Sequence, residues 1–313
     1  MMKGTKSGRE DVMGGRNVGV IGLGAMGLGV ARSMLRAGFA THACDVRKDV
    51  LDAFAAEGGI PHRTPAALAR ACEVVAILVV NADQTDGVLF GADGAAQTLA
   101  PGSVVIMSVT VSPDFAERLG TRLAERGVLM LDAPVSGGAA KAATGEMTIM
   151  ASGTPETFAA CEDVLAAIAS KVYRLGDAPG AGSKVKVINQ LLAGVHIAAM
   201  AEALALGIRS GADPRVLYEV IANSAGSSWM FQNRAPHILA GDYTPLSAVN
   251  IFVKDLGIVL DSARKLTFPL PLTAAAHQMF LATSAHGHGG EDDSAVIKMF
   301  AALTGIELPP SQA

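Results

Sequence analysis

The chain reads as an α/β protein in which a mostly parallel sheet flanked by helices is followed by an all-helical domain. Residues 16 to 177 alternate short apolar runs with helical patterns, as strand–helix–strand units do. From Gly182 onward strand signals vanish and helical periods run on. The breaker-rich stretch Asp177-Ala178-Pro179-Gly180 marks the change. These observations divide the sequence into an extension over 1–15, an α/β domain over 16–178 and a helical domain over 179–313.

Half of the 313 residues are hydrophobic and 17% are charged, enough apolar surface for substantial cores. A net charge of −4 gives no basic field for nucleic acid or for an anionic membrane. Cys44, Cys72 and Cys161 are far apart and form no C-x-x-C pair, which fits small core residues in a reducing compartment. Met1 to Gly15 is polar and glycine-rich without an apolar h-region, so the expectation is a disordered extension and a cytoplasmic protein.

The first apolar run, Val18-Gly19-Val20-Ile21, leads into Gly22-Leu23-Gly24-Ala25-Met26-Gly27, and an alanine-rich helical pattern follows. A G-x-G-x-x-G motif is weak alone and informative between a strand and a helix. Gly22 permits the tight turn, Gly24 lets backbone approach a pyrophosphate, and Gly27 lets helix pack on strand. Ala25 and Met26 open the helix, whose free N–H groups face the phosphates. Asp45 closes the second run, Phe39 to Cys44, about twenty residues on, where a carboxylate accepts from the adenosine ribose hydroxyls. That carboxylate repels a 2′-phosphate, so the α/β domain is expected to be Rossmann-like and to bind NAD rather than NADP. Arg47 and Lys48 follow closely and could hold that phosphate; their plainer reading is solvated charge at the next helix start.

Glu73 to Val80 reads as a central strand, apolar on both faces. Ser103 to Met107 and Val128 to Leu131 are two more, joined by a helix over Pro113 to Arg126 with Ser112 as N-cap. Met147 to Ala151 and Lys171 to Leu175 read as peripheral strands. Directly after a strand comes Asp132-Ala133-Pro134-Val135-Ser136-Gly137-Gly138, the position where open α/β sheets bind ligands. The Ser136 hydroxyl and the N–H groups of Gly137 and Gly138 suit a carboxylate; a turn that simply needs glycine is the plainer reading.

Helical patterns cover 183–210, 214–223, 228–239, 246–264, 270–286 and 292–303. Leu191 to Ile208 approaches membrane-spanning length, yet it contains His196 and Glu202 and extends a helix that carries Lys186 and Asn189. A helix buried in a core or a subunit interface fits better, and its apolar excess predicts a homodimer or homotetramer. Lys186, Asn189 and Gln190 share one face at i, i+3 and i+4, whereas Lys184 points elsewhere. A lysine among Val185, Val187 and Ile188 can be desolvated toward the range of an acid/base catalyst, or can lay its stem on apolar neighbours at the surface. Lys254-Asp255 reads as an ion pair or a solvated face. His286 and His288 lack an obvious third metal ligand beyond Glu291, Asp292 and Asp293, so this segment reads as a loop and no metal is expected.

Together these segments resemble the β-hydroxyacid dehydrogenase family from Asn17 to Phe300. Its G-L-G-x-M-G start matches Gly22 to Gly27, and its D-x-P-V-S-G-G loop matches Asp132 to Gly138. Its G-x-G-x-x-x-K-x-x-N motif matches Gly180, Gly182, Lys186 and Asn189, and its K-D-L motif matches Lys254 to Leu256. The resemblance implies that Lys186 is catalytic, that Ser136, Gly137 and Gly138 hold the substrate carboxylate, and that Asn189 orients the substrate. It also implies that Lys254 lies beside the nicotinamide and that Thr110 touches the cofactor. Three departures stand out: Met107-Ser108-Val109-Thr110 for Asp-x-Ser-Thr, Gln190 for a second asparagine at the substrate, and Val80-Asn81 for Leu-Pro in the cofactor loop.

The resemblance implies NAD-dependent oxidation of a small hydroxy acid. At Ser228-Trp229-Met230 and Gly290 to Lys298 the chain is most similar to the family's sugar-acid members, so a sugar acid is the favoured substrate. Related hydroxy-acid dehydrogenases and reductases are the first alternative, and a non-catalytic dinucleotide-binding module is the alternative from another class. Retention of Lys186 argues against that module and against an imine reductase. The absence of an arginine cluster beside the substrate loop argues against a phosphorylated substrate.

Overall fold

The computed structural model describes residues 15–311, so the expected extension lies outside the described residues apart from Gly15. The chain divides into two compact units between Lys184 and Val185. The first is built on six strands: β1 (Asn17–Ile21), β2 (Ala40–Cys44), β3 (Ile60–His62), β4 (Val74–Ile77), β5 (Val104–Met107) and β6 (Leu129–Asp132). They lie in the order β3-β2-β1-β4-β5-β6, and every pair is parallel. This is the expected Rossmann-like sheet, with its topological switch point between β1 and β4.

Side-chain alternation explains why the central strands are apolar throughout. Val74, Ala76, Val104 and Ile106 enter the core on one face of the sheet. Val75, Ile77, Val105 and Met107 enter the core on the other. The expected strand to Val80 stops at Ile77, and the Val80 N–H turns instead to Gln84 Oε1 at 2.8 Å. The helix Pro113–Ala124 starts as expected, with Ser112 Oγ accepting from Phe115 N.

The peripheral strands form a small sheet of their own: β7 (Val135–Ser136), β8 (Met147–Ala151) and β9 (Ala169–Arg174). β7 is antiparallel to β8, and β8 is parallel to β9. A backbone bridge between Asp132 and Ser152 fastens this sheet to the end of β6.

The long helix Ala181–Arg209 begins in the first unit and continues into the second. The helices Pro214–Ala222, Trp229–Ala240, Val249–Lys265, Pro271–Thr283 and Ile297–Thr304 complete the second unit. Its core joins Ile197, Met200, Leu204, Phe231, Phe252 and Phe280. Asp213 and Ser228 cap the helices they precede by accepting from backbone N–H groups. Two details differ from expectation. Ser284–His288 is a π-helical turn rather than a loop, and Ala248 forms an isolated bridge with Asp292. The latter closes a polar turn at the start of a helix, a pairing with no apolar run to announce it.

Among the described residues one helix, Ala181–Arg209, is long and apolar enough to cross a membrane by length and composition. Its Ile197, Ala201 and Leu204 are core residues, whereas Ile188, Leu192 and Leu206 are exposed.

Candidate active site

Parallel strands end at one edge of the sheet, and there the candidate cofactor residues collect. Gly22 follows β1, Asp45 follows β2, Val80 lies just past β4, and Thr110 lies just past β5. The three glycines of the first turn have separable physical reasons. Gly22 has a φ of +94°, which L side chains rarely adopt, and its N–H donates to Cys44 O at 2.9 Å. A Cβ on Gly27 would lie 1.8 Å from Gly22 O, so only glycine lets the helix sit this close to the turn. A Cβ on Gly24 would meet nothing within 4 Å. Gly24 is thus not needed for packing; it keeps open the ground before the helix Ala25–Arg36, whose N-terminus has no side-chain cap. An uncapped N-terminus behind an open glycine fits a bound pyrophosphate.

Asp45 is tied into this turn. Its Oδ2 accepts from Leu23 N at 2.6 Å and its Oδ1 from Arg47 N at 2.9 Å. The Arg47 guanidinium lies along the same carboxylate at 3.0 and 3.2 Å and also donates to Leu23 O at 2.9 Å. Burial pushes the Asp45 carboxyl up, but these hydrogen bonds and the Arg47 charge outweigh it and hold the group below the usual range.

Ser136 ends β7, and Gly137 and Gly138 follow with φ of +128° and +73°. These left-handed conformations explain the paired glycines, and Gly138 is open around its Cα. The helix Gly138–Thr144 packs on Ala25–Arg36 at Gly29, where a Cβ would lie 2.7 Å from Ala143 N. Ser33 Oγ donates to Ala142 O at 3.0 Å at the same crossing. One helix therefore positions both the glycine turn and the serine–glycine loop, through Gly29 and Ser33. Their signal was present only as small residues at i and i+4.

Asp132, the first residue of the serine–glycine loop motif, is a fully buried anchor. Its carboxylate accepts from Gly180 N (2.9 Å), Ser183 N (2.8 Å), Ser183 Oγ (2.7 Å) and Ser152 Oγ (3.4 Å). It thereby caps the first turn of the long helix that carries Lys186 about one turn on. Burial raises its carboxyl against these four donors. Gly182 leaves no room for a side chain here, since a Cβ would lie 2.4 Å from Met150 O.

In the second unit Lys186, Asn189 and Gln190 form the expected face, and the helix Val249–Lys265 supplies Lys254 and Asp255. Lys186 is only 7% exposed, and burial lowers its amine to about 8. Asp255 pulls against that shift and Lys254 adds to it. Lys254 Nζ lies 2.6 Å from Asp255 Oδ1 in an ion pair too oblique to be a hydrogen bond. Gln190 Nε2 donates to Asp255 Oδ2 at 2.6 Å, and Gln190 Oε1 accepts from Asn189 Nδ2 at 3.0 Å. The Lys254–Asp255 pair is thus the ion pair its sequence suggested. The part of Asp255 in the lysine face was not foreseen, for only the shared spacing of the long helix was visible.

Elsewhere, Asp292 and Asp293 face the core rather than a metal loop. Asp293 holds Arg234 at 2.6 and 3.1 Å, and Asp292 holds His237 at 3.1 Å. Glu291 binds His288 and Lys298. Among the described residues no group of three or more His, Cys, Asp or Glu side chains is arranged to hold a metal ion. Cys44, Cys72 and Cys161 are buried thiols, pushed up to about 11, 12 and 12.

Comparison with known proteins agrees with this geometry. Residues 17–176 match the family described as the NAD binding domain of 6-phosphogluconate dehydrogenase. Residues 180–300 match the NAD-binding domain of NADP-dependent 3-hydroxyisobutyrate dehydrogenase. The chain is 70% identical to L-threonate dehydrogenase of Cupriavidus necator over 294 residues, 94% of this chain and 98% of that protein. It is 52% identical to L-threonate dehydrogenase of Escherichia coli, over 94% of this chain and 96% of that protein. A crystal structure of 3-hydroxyisobutyrate dehydrogenase from Salmonella typhimurium superposes with a TM-score of 0.87 at 52% identity, covering 91% of this chain and 99% of that one. Resemblance over both units, with the glycine turn intact, makes this chain a member of the β-hydroxyacid dehydrogenase family, an NAD-dependent oxidoreductase of hydroxy acids.

Proposed function

We propose that the protein oxidises L-threonate, or a closely similar sugar acid, with NAD as acceptor and Lys186 as general base, the same lysine acting as general acid in the reverse direction. The observation that carries this is the state of Lys186: a buried amine lowered to about 8, on a face shared with Asn189. Such an amine is substantially neutral near its working pH and can take a hydroxyl proton. As an ammonium it then sits beside the new carbonyl oxygen, where it favours the developing negative charge. Ser136 Oγ and the N–H groups of Gly137 and Gly138 receive the substrate carboxylate. Asn189 orients the hydroxyl, and Gln190 borders the substrate through Asn189. NAD, when bound, supplies the hydride acceptor. Gly22, Gly24, Ala25, Met26 and Gly27 hold its pyrophosphate, Asp45 its adenosine ribose, and Val80, Thr110 and Lys254 its nicotinamide half.

The 70% identity to an L-threonate dehydrogenase supports that substrate over other hydroxy acids. 3-Hydroxyisobutyrate is the second reading, favoured by the name of the Salmonella relative. Residues 16–178 would then be the NAD-binding domain, and 179–313 the helical substrate and oligomerisation domain. Exposed Ile188, Leu192, Leu206, Val216 and Val220 suit a homodimer or homotetramer in the cytoplasm, with no membrane or nucleic-acid partner.

NADH formation with L-threonate, D-threonate, 3-hydroxyisobutyrate and glycerate, each with NAD+ and NADP+, tests the substrate and cofactor. L-Threonate with NAD+ should give the highest kcat/KM; preference for another acid overturns the substrate. Lys186→Ala should lower turnover roughly 10²–10⁴-fold while NADH still binds. Near wild-type turnover removes Lys186 from the mechanism.

A further inference from the structure

We propose that Gln190 is a positioning residue for the reaction: its amide holds Asp255 on Lys254 and so leaves Lys186 as the unpaired amine of the cluster. This rests on the reading of Lys186 as acid/base.

Five polar side chains meet in an apolar surround, and they do not share their charges equally. Asp255 is 2% exposed, with Oδ1 beside Lys254 Nζ and Oδ2 taken by Gln190 Nε2, both at 2.6 Å. Gln190 is itself buried, and the other end of its amide accepts from Asn189. Lys186 makes no direct ion pair with a described residue. Asp255 and Lys254 are the charged groups bearing on it from the neighbouring helix, while Lys184 on its own helix is exposed. One carboxylate thus faces two amines, and the glutamine decides how it is shared. With Oδ2 satisfied by an uncharged donor, Asp255 gains little by attracting a second cation, and Lys186 is free to lose its proton. An asparagine here, as is common in the family, carries the same amide on an arm shorter by one methylene. The glutamine therefore has the reach to span from Asn189 to Asp255.

Removing the amide takes the hydrogen-bond donor from Oδ2 as well, leaving a buried carboxylate with the Lys254 ion pair alone, which is costly. Lys254 already lies on the other oxygen, so the remaining remedy is a protonated Lys186, and its pKa should rise. The pH dependence of kcat/KM reports groups in the free enzyme, and its acidic limb in the oxidation direction should follow Lys186. In Gln190→Met, an apolar side chain of similar shape, that limb should move about one pH unit upward. Measured against its own alkaline plateau, kcat/KM at pH 7 should then fall roughly tenfold further than in the wild type. Gln190→Asn should move the limb in the same direction, and it serves if the methionine variant does not fold. A merely structural role would lower kcat/KM equally at all pH values, and that result, or superimposable profiles, overturns the proposal. Lys186→Ala assayed alongside separates the two readings. An active Lys186→Ala enzyme defeats the lysine mechanism, whereas an inactive one with an unshifted Gln190→Met profile defeats only the role of Gln190.

Discussion

Replacing Asp45 by serine should convert a preference for NAD into a preference for NADP, because the residue that repels a 2′-phosphate also holds down the one that could bind it. Arg47 is half-exposed, and its guanidinium lies at 3.0 Å from Asp45 while also reaching Leu23 O. In Asp45→Ser three terms change together. A carboxylate–phosphate repulsion of about 1–3 kcal/mol, for charges about 5 Å apart in a wet site, disappears. The carboxylate's bonds to the ribose hydroxyls, each roughly 1.5–3 kcal/mol, weaken for NAD. Arg47 is released beside the phosphate and gains a charge-assisted bond of similar size. These terms share partners and do not add fully, so about 3–5 kcal/mol is expected, roughly a 10²–10⁴-fold change in the ratio of kcat/KM for the two cofactors. Initial rates against NAD+ and NADP+ at saturating hydroxy acid measure it. An unchanged ratio would refute the assignment of Asp45, and a ratio that moves only through loss of NAD activity would refute the part given to Arg47.

The glycines of the turn should separate folding from binding. Gly27→Ala forces a Cβ to 1.8 Å from Gly22 O and should cost about 1–3 kcal/mol in thermal unfolding as well as NADH binding. Gly24→Ala has open space, so it should melt like wild type and still lose NADH affinity by fluorescence titration; unchanged affinity would sink the pyrophosphate reading. Asp132→Ala strips the acceptor from Gly180 N, Ser183 N and two hydroxyls, and should cost about 3–5 kcal/mol in urea unfolding. A loss below about 1 kcal/mol would mean the cap is dispensable. His42 and His62 lie 2.7 Å apart, and burial lowers both, His42 further through the charge of its neighbour. Groups with depressed folded pKa values bind more protons when unfolded, so their contribution to stability is intact above about pH 6.5 and declines as pH falls below it. His237, raised by Asp292, works in the opposite sense. The double variant His42→Gln/His62→Gln should therefore flatten the acid-side loss in urea midpoints, and an identical slope would argue against the pair.

Much of the fold was visible in the sequence because it is written in local periods. β8 spans Met147–Ala151, the run expected from the sequence, and the central strands alternate between two cores. β3 was not visible: its three residues include Pro61, two of them are exposed, and they form the sheet edge, where proline is tolerated. The glycine turn and the lysine face were legible because each is a spacing along one element. What escaped notice joins residues remote in sequence. The Asp132 cap on Ser183 spans 51 positions, and Gln190 reaches Asp255 across 65. Neither partner looks unusual by itself, and a hydrogen bond between distant polar residues has no period to read.

The cap at Asp132 also bears on where this protein can be cut. The turn Pro179-Gly180 looks like the natural seam between the two halves, yet a fragment ending at Ala178 would keep a buried carboxylate and discard Gly180 and Ser183, its nearest donors. A fragment ending at Lys184, where the compact unit ends, retains them. For anyone exchanging halves between relatives, the working joint lies one turn inside a helix. A chimera should inherit Asp132, Ser152 and Ser183 from a single parent.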